Sequence, residues 1–208
     1  MPNRIYDFTI KHQGLYRLES RIVWGTDARP FYAELDSLKD VPAGSSVLDV
    51  PCGGGVAFRG LKQDMPIRYV AADVSPFMLE RAKATAARHG LTNIEYVHAN
   101  VAELPFDDAT FDLCVNYNGL HCFADPAAAV AEIARVVRPG GELRGTVVVT
   151  GGGALSARAI AFFRRNDQFG PSGSVEDVEG WLLDAGFDDL RLDRRGAYLF
   201  FNARRAKE

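Results

Sequence analysis

The sequence predicts an α/β fold: a mostly parallel sheet of about seven strands, with helices on both faces and a short helical segment ahead of it. Three observations predict it. From Ser46 onward, short apolar runs alternate with helical patterns. The runs are apolar along their whole length, as strands covered on both faces are. The chain has 208 residues, of which 47 % are hydrophobic and 25 % charged, an ordinary globular mix for one domain.

Residues 1–45 lack strand-like runs but carry scattered aromatics, among them Tyr6, Phe8, Tyr16, Trp24, Phe31 and Tyr32. Segments 14–23 and 28–39 read as helices, ended by Val41-Pro42-Ala43-Gly44. Val47–Val50 is a strand that runs into Pro51-Cys52-Gly53-Gly54-Gly55. Tyr69–Ala72 is the second strand and stops at Asp73. Ser75 is a helix cap and Pro76 the first helical residue. That helix runs to His89 and ends at Gly90, where a left-handed glycine belongs. Ile94–His98 and Phe111–Asn116 are the next strands, Ala127–Val137 a helix, and Glu142–Thr150 a Val-rich strand.

Leu155–Arg165 and Val175–Ala185 then read as helices. Leu190–Asp193 and Tyr198–Ala203 are separated only by Arg194-Arg195-Gly196-Ala197. That gap is too short for a parallel crossover, so one strand near the C-terminus is antiparallel. The expected division is one domain, 1–208. Residues 1–45 form a lid, 46–150 the ligand-binding core, and 151–208 the last helices and a β-hairpin.

Composition narrows the partners. The net charge is −3, from 24 basic and 27 acidic residues, which does not suit nucleic acid. No apolar run reaches the ~18–20 residues that span a bilayer. The first eleven residues hold no signal-like apolar stretch. Three cysteines imply no disulfide framework, and Cys52, Cys114 and Cys122 read as small packed residues rather than metal ligands. A cytoplasmic protein with no nucleic-acid partner is expected; whether it is a monomer or a homodimer stays open.

In open α/β sheets, ligands bind beyond the carboxyl ends of the strands. The turn there is Asp49-Val50-Pro51-Cys52-Gly53-Gly54-Gly55. A dinucleotide fingerprint would need glycine at 51, 53 and 56, and two of those three fail. An acid beside the turn favours a positively charged ligand over a pyrophosphate. Asp73, at the end of the second strand, suits a ribose acceptor. Asn100, after the third, suits an adenine edge. A cationic amino acid joined to adenosine, such as S-adenosylmethionine, fits all three groups.

With these residues in place, the chain resembles the class I S-adenosylmethionine-dependent methyltransferases of the small-molecule type, similar to the ubiquinone/menaquinone C-methyltransferases. Val47–Gly55 resembles the first motif, with Pro51 where glycine is usual, and Tyr69–Leu79 the second. His98–Phe106 resembles the third, with Asn100 where aspartate is usual. Phe111-Asp112 through Leu120-His121-Cys122-Phe123, Val136–Leu143 and Trp181–Phe187 resemble the later elements in order.

The resemblance implies a Rossmann-like sheet and S-adenosylmethionine as cofactor, leaving as S-adenosylhomocysteine, with a small-molecule methyl acceptor. It implies a cofactor site built by Asp49, Pro51, Cys52, Gly53, Gly55, Asp73, Val74, Ser75, Met78, Asn100, Val101, Asn116 and Tyr117. Asp49 and Gly53 would lie by the methionine part, Asp73 on the ribose and Met78 on the adenine. Asn100 and Val101 would read the adenine edge, with Asn116 and Tyr117 beside the sulfonium. Where a general base is needed, His121 is the candidate by position, against a packing or capping role for the same ring. His12 is a second, in the expected lid. Two other functions are compatible with such a sheet: a nicotinamide-dependent oxidoreductase, which the failed fingerprint disfavours, and a non-catalytic module that binds S-adenosylmethionine. A macromolecule methyltransferase is disfavoured because Asn116-Tyr117-Asn118-Gly119 lacks the prolines of the Asn/Asp-Pro-Pro-Tyr motif.

Overall fold

The structure, a computed structural model, describes residues 20–207. Residues 20–23 are helical, so the described end of the expected 14–23 helix is present and the rest lies outside the described residues. Helix α1 (Arg29–Asp36) continues into a 3₁₀ turn, Ser37–Asp40. The core then runs β1 (Ser46–Asp49), β2 (Arg68–Asp73), α2 (Pro76–His89), β3 (Ile94–His98) and β4 (Phe111–Tyr117). After it come α3 (Pro126–Val136), β5 (Val137–Val148), α4 (Ala154–Arg165), α5 (Val175–Asp184), β6 (Phe187–Arg195) and β7 (Tyr198–Arg205).

The seven strands form one sheet in the order β3-β2-β1-β4-β5-β7-β6. Strands β1 to β5 pair in parallel, as in Leu48↔Val70 and Leu48↔Cys114. β7 is antiparallel to both of its neighbours, β5 and β6, and is the one reversed strand.

Side chains alternate across each strand, so every strand feeds two cores. On one face, Leu48, Val70 and Cys114 pack under Val130 and Ile133 of α3 and Leu182 of α5. On the other, Val47, Tyr69, Ala71 and Val115 pack under Phe31 and Leu35 of α1 and Leu79 and Ala82 of α2. Each buried Leu, Val or Phe contributes roughly 1.5–3 kcal/mol against exposure.

The caps expected of α2 are present. Ser75 Oγ accepts from the Met78 amide, Pro76 opens the helix, and Gly90 closes it at φ +67°. β5 begins earlier than expected, at Val137 rather than Glu142. Val137 already pairs with Phe111, the chain bulges through Pro139-Gly140-Gly141, and pairing resumes at Glu142↔Leu113. A Pro-Gly-Gly run reads as a turn, but here it is a bulge inside a strand. Between β1 and β2 the described helix is only a 3₁₀ turn, Val56–Gly60. Gly60 presses on the Leu35 carbonyl, which a Cβ would meet at 1.9 Å.

Candidate active site

The glycine turn is pinned from both sides. The Val50 amide donates to the Val115 carbonyl at the end of β4 (3.1 Å), and the Cys52 amide to the Ala72 carbonyl at the end of β2 (2.9 Å). Gly53 and Gly55 hold φ of +51° and +77°, left-handed values that cost other residues strain. A Cβ on Gly53 would meet nothing within 4 Å, so open space lies above the turn. A Cβ on Gly55 would strike the Phe58 ring at 2.6 Å. Helix α2 braces the turn through Thr85, whose hydroxyl donates to the Gly54 carbonyl (2.8 Å), and Arg81 runs alongside. Neither brace was legible in the sequence, because both residues suit an exposed helix face.

Two acids lie beneath this turn on the same sheet face. Asp73 is buried, with Oδ2 accepting from the Gly53 amide (2.9 Å) and Oδ1 from the Ser75 amide (2.8 Å). One lone pair on each oxygen stays available, which suits two vicinal hydroxyls. Burial raises its pKa, and the two amide donors oppose that rise. Asp49 is also buried, and its Oδ2 accepts from the Tyr69 hydroxyl (2.9 Å). Burial lifts the Asp49 carboxyl to about 8, against the stabilising Tyr69 hydrogen bond and with a further push from Asp73. Neither acid is in an ion pair with Lys or Arg among the described residues. Tyr69 is a site residue that sequence reasoning missed; a Tyr in an apolar strand reads as a β-former.

The other expected residues sort by exposure. Val74 is exposed, and its carbonyl accepts from the His98 ring (2.8 Å). Met78 is partly exposed on the first turn of α2, and Val101 is buried. Asn100 is exposed, and its Oδ1 accepts from the Ala102 amide (3.1 Å). Cys52 is buried, and burial pushes its thiol well up.

Past β4, two expectations are corrected. Asn116 does not present its amide to a ligand. It is buried, with Nδ2 donating to the Val50 carbonyl (2.7 Å) and Oδ1 accepting from the Gly119 and Leu120 amides (3.2 and 3.0 Å). It ties the loop after β4 to the glycine turn after β1. Gly119 packs on Pro51 there, and a Cβ would meet the Pro51 ring at 2.2 Å.

His121 is not placed as a free base. The ring is buried, and Nδ1 accepts from the Val148 amide (3.1 Å), which assigns the proton to Nε2. Burial lowers it to about 3. Its face meets Phe169, 4.3 Å between centroids, in an aromatic group with Phe163 and Trp24. Tyr117 is buried with its hydroxyl unpartnered, edge-on to Phe31. His12 lies outside the described residues, as do residues 1–19 of the expected lid.

Three comparisons bear on this arrangement. Residues 48–144 match the family of methyltransferase domains. A phthiotriol/phenolphthiotriol dimycocerosates methyltransferase of Mycobacterium leprae is 34 % identical over 102 residues, 49 % of this chain and 37 % of that protein. The O-methyltransferase resE of Aspergillus sclerotiorum is 31 % identical over 153 residues, 72 % of this chain and 57 % of that one. This chain thus spans less than two thirds of the curated relatives it matches. Among solved structures, a Haemonchus contortus phosphoethanolamine-type N-methyltransferase 2, in complex with phosphomonomethylethanolamine and S-adenosylhomocysteine, shares the fold. Its TM-score is 0.72 at 17 % identity, covering 85 % of this chain and 52 % of that one.

Proposed function

We propose that the chain moves a methyl group from S-adenosylmethionine to a small-molecule acceptor, a reading supported by the match of residues 48–144 to a methyltransferase domain. One observation carries the reading: two buried acids, Asp49 and Asp73, converge beneath an open left-handed glycine turn, with no Lys or Arg among the described residues paired to either. A cationic nucleoside satisfies such a site, and a pyrophosphate would be repelled by it.

The residues present fit the cofactor. Asp73 takes the ribose hydroxyls, with Val74, Ser75 and Met78 alongside the adenosine. Asn100 and the Val101 amide take the adenine edge. Asp49, with Pro51, Cys52, Gly53 and Gly55, shapes the floor for the amino-acid part. Asn116 acts indirectly, by tying the loop after β4 to the glycine turn, and Tyr117 supports the same strand end from within the core. The bound cofactor supplies an activated methyl group. The protein's share is alignment and exclusion of water, and alignment alone supplies up to ~7–11 kcal/mol of a barrier. With His121 buried and its Nδ1 engaged by the Val148 amide, no base is assigned, which suits an acceptor that arrives as a ready nucleophile.

The test is turnover. The full chain incubated with S-adenosylmethionine and a pool of small metabolites forms S-adenosylhomocysteine faster than either omission. Asp73→Ala weakens cofactor binding by more than about tenfold, since two charge-assisted hydrogen bonds are lost. A chain that binds S-adenosylmethionine but turns over no acceptor in the pool favours the binding-module reading.

A further inference from the structure

Asp49 and Tyr69 form a closed pair that the reaction itself does not use. Tyr69 lies on β2, two residues before Ala71, the register partner of Asp49. Both side chains are buried, and the phenol is the hydrogen-bond donor to Asp49 Oδ2 (2.9 Å). The ionisable groups packed around Asp49 are Tyr69 and Asp73 from β2, Cys52 from the glycine turn, and Cys114 and Tyr117 from β4. Every one of them is neutral or acidic. Among the described residues, the pocket therefore holds a carboxyl with a hydrogen-bond donor and no countercharge. We propose that Tyr69 is a positioning residue for cofactor capture: its hydrogen bond holds the Asp49 carboxyl beneath the glycine turn, where an arriving sulfonium nucleoside becomes its countercharge.

This inference rests on the reading given under Proposed function. Its balance is simple: the Asp49 O–H bond breaks, the proton leaves to solvent, and the carboxylate stays behind facing a cation. Burial keeps the carboxyl protonated until about pH 8 in the folded chain, and a nearby positive charge lowers that value. Affinity then rises with pH up to about 8 and levels above it. The Tyr69 hydrogen bond favours the ionised form, so its loss moves the rise to higher pH.

The experiment is calorimetric titration of the full chain with S-adenosylmethionine at pH 6, 7, 8 and 9, in two buffers of different ionisation enthalpy. Wild type, Tyr69→Phe and Asp49→Asn are compared. The ligand's own α-amino group titrates near pH 7.7–8.0 and contributes equally to all three, so Asp49→Asn serves as its control. The wild type gains about tenfold in affinity between pH 7 and 9 beyond that control, and releases close to one proton at pH 7. Tyr69→Phe binds several-fold more weakly at pH 7 but recovers toward wild type at pH 9. Overlapping wild-type and Asp49→Asn profiles overturn the inference while leaving the cofactor assignment standing. So does a Tyr69→Phe deficit that is the same at every pH, since that is a packing effect. If Asp49→Asn does not bind, the displacement of the Tyr69→Phe profile decides. Absence of wild-type binding at all four pH values removes the cofactor assignment, and this inference with it.

Discussion

A carboxyl without a cation is costly inside a protein, and Asp49 bears that cost. Its pKa in the folded chain, about 8, lies above the ordinary value near 3.8. The folded state therefore holds a proton that the unfolded chain has lost, and stability falls as pH rises from about 4 to about 8. Asp49→Asn relieves this. At pH 8 the ligand-free variant should gain about 1 kcal/mol or more, roughly 2–4 °C in melting temperature, with less difference at pH 5. Thermal melts at the two pH values check the direction. A stabilised variant that binds cofactor poorly would mark strain kept for function.

His121 carries the opposite lesson. With Nδ1 engaged and the ring buried, His121→Ala should lower stability by about 2 kcal/mol, or 4–8 °C, through lost packing and an orphaned Val148 amide. The wild-type rate should show no inflection near pH 6.5 from this ring. At this scale, Asp49 and Asp73 were legible because each acid ends an apolar strand. Tyr69, Thr85 and the true role of Asn116 were not, because their partners are distant in sequence: Asn116 and Val50 are 66 residues apart.

Local chemistry decides the elements that hold the site. Ser75, Pro76 and Gly90 bound α2 as their types predict, since cap preferences depend on neighbours within a turn. The same holds for α5, where Ser174 and Asp177 complete a capping box. The early start of β5 could not be read this way. It depends on Val137 finding Phe111 across the sheet, a pairing that no local pattern encodes.

The loop after β4 depends likewise on a neighbour from another strand. Gly119 carries no positive φ, so its backbone does not require glycine; the Pro51 ring at 2.2 Å and the Asn116 amide at 2.7 Å leave no space for a methyl. Gly119→Ala should therefore cost more than 2 kcal/mol, or loosen the glycine turn enough to weaken cofactor binding several-fold. Chemical denaturation and calorimetry on the same preparation separate the two. A variant unchanged in both would remove the proposed coupling between the two loops.

Across the whole molecule, the strand order turns back at β1, with β2 and β3 on one side and β4 and β5 on the other. Crossovers leave this point in opposite directions, so the sheet itself opens a crevice at the carboxyl ends of β1 and β4. The glycine turn, both acids and the Asn116 tie all lie there. The alternation of strands and helices made this legible, and the short β6–β7 connection made the reversed strand legible.

The reach of the N-terminal segment was read differently. Trp24, expected within a lid, is buried in a small core with Val148, Ile160 and Tyr198, and its carbonyl accepts from the Ala197 amide (2.8 Å). Trp24→Ala should cost about 3–5 kcal/mol, and removing residues 1–27 should disturb the neighbouring ends of β5 and β7 as well as any closure. A melt of Trp24→Ala indistinguishable from wild type would contradict that packing. Among the described residues, no helix is long and apolar enough to cross a membrane.

Competitive calorimetry with S-adenosylmethionine and a nicotinamide dinucleotide decides whether this crevice takes a cationic sulfur nucleoside. The sulfonium compound should bind, Asp73→Ala should weaken it by more than about tenfold, and the dinucleotide should not compete. Binding of the dinucleotide in place of S-adenosylmethionine would contradict that expectation.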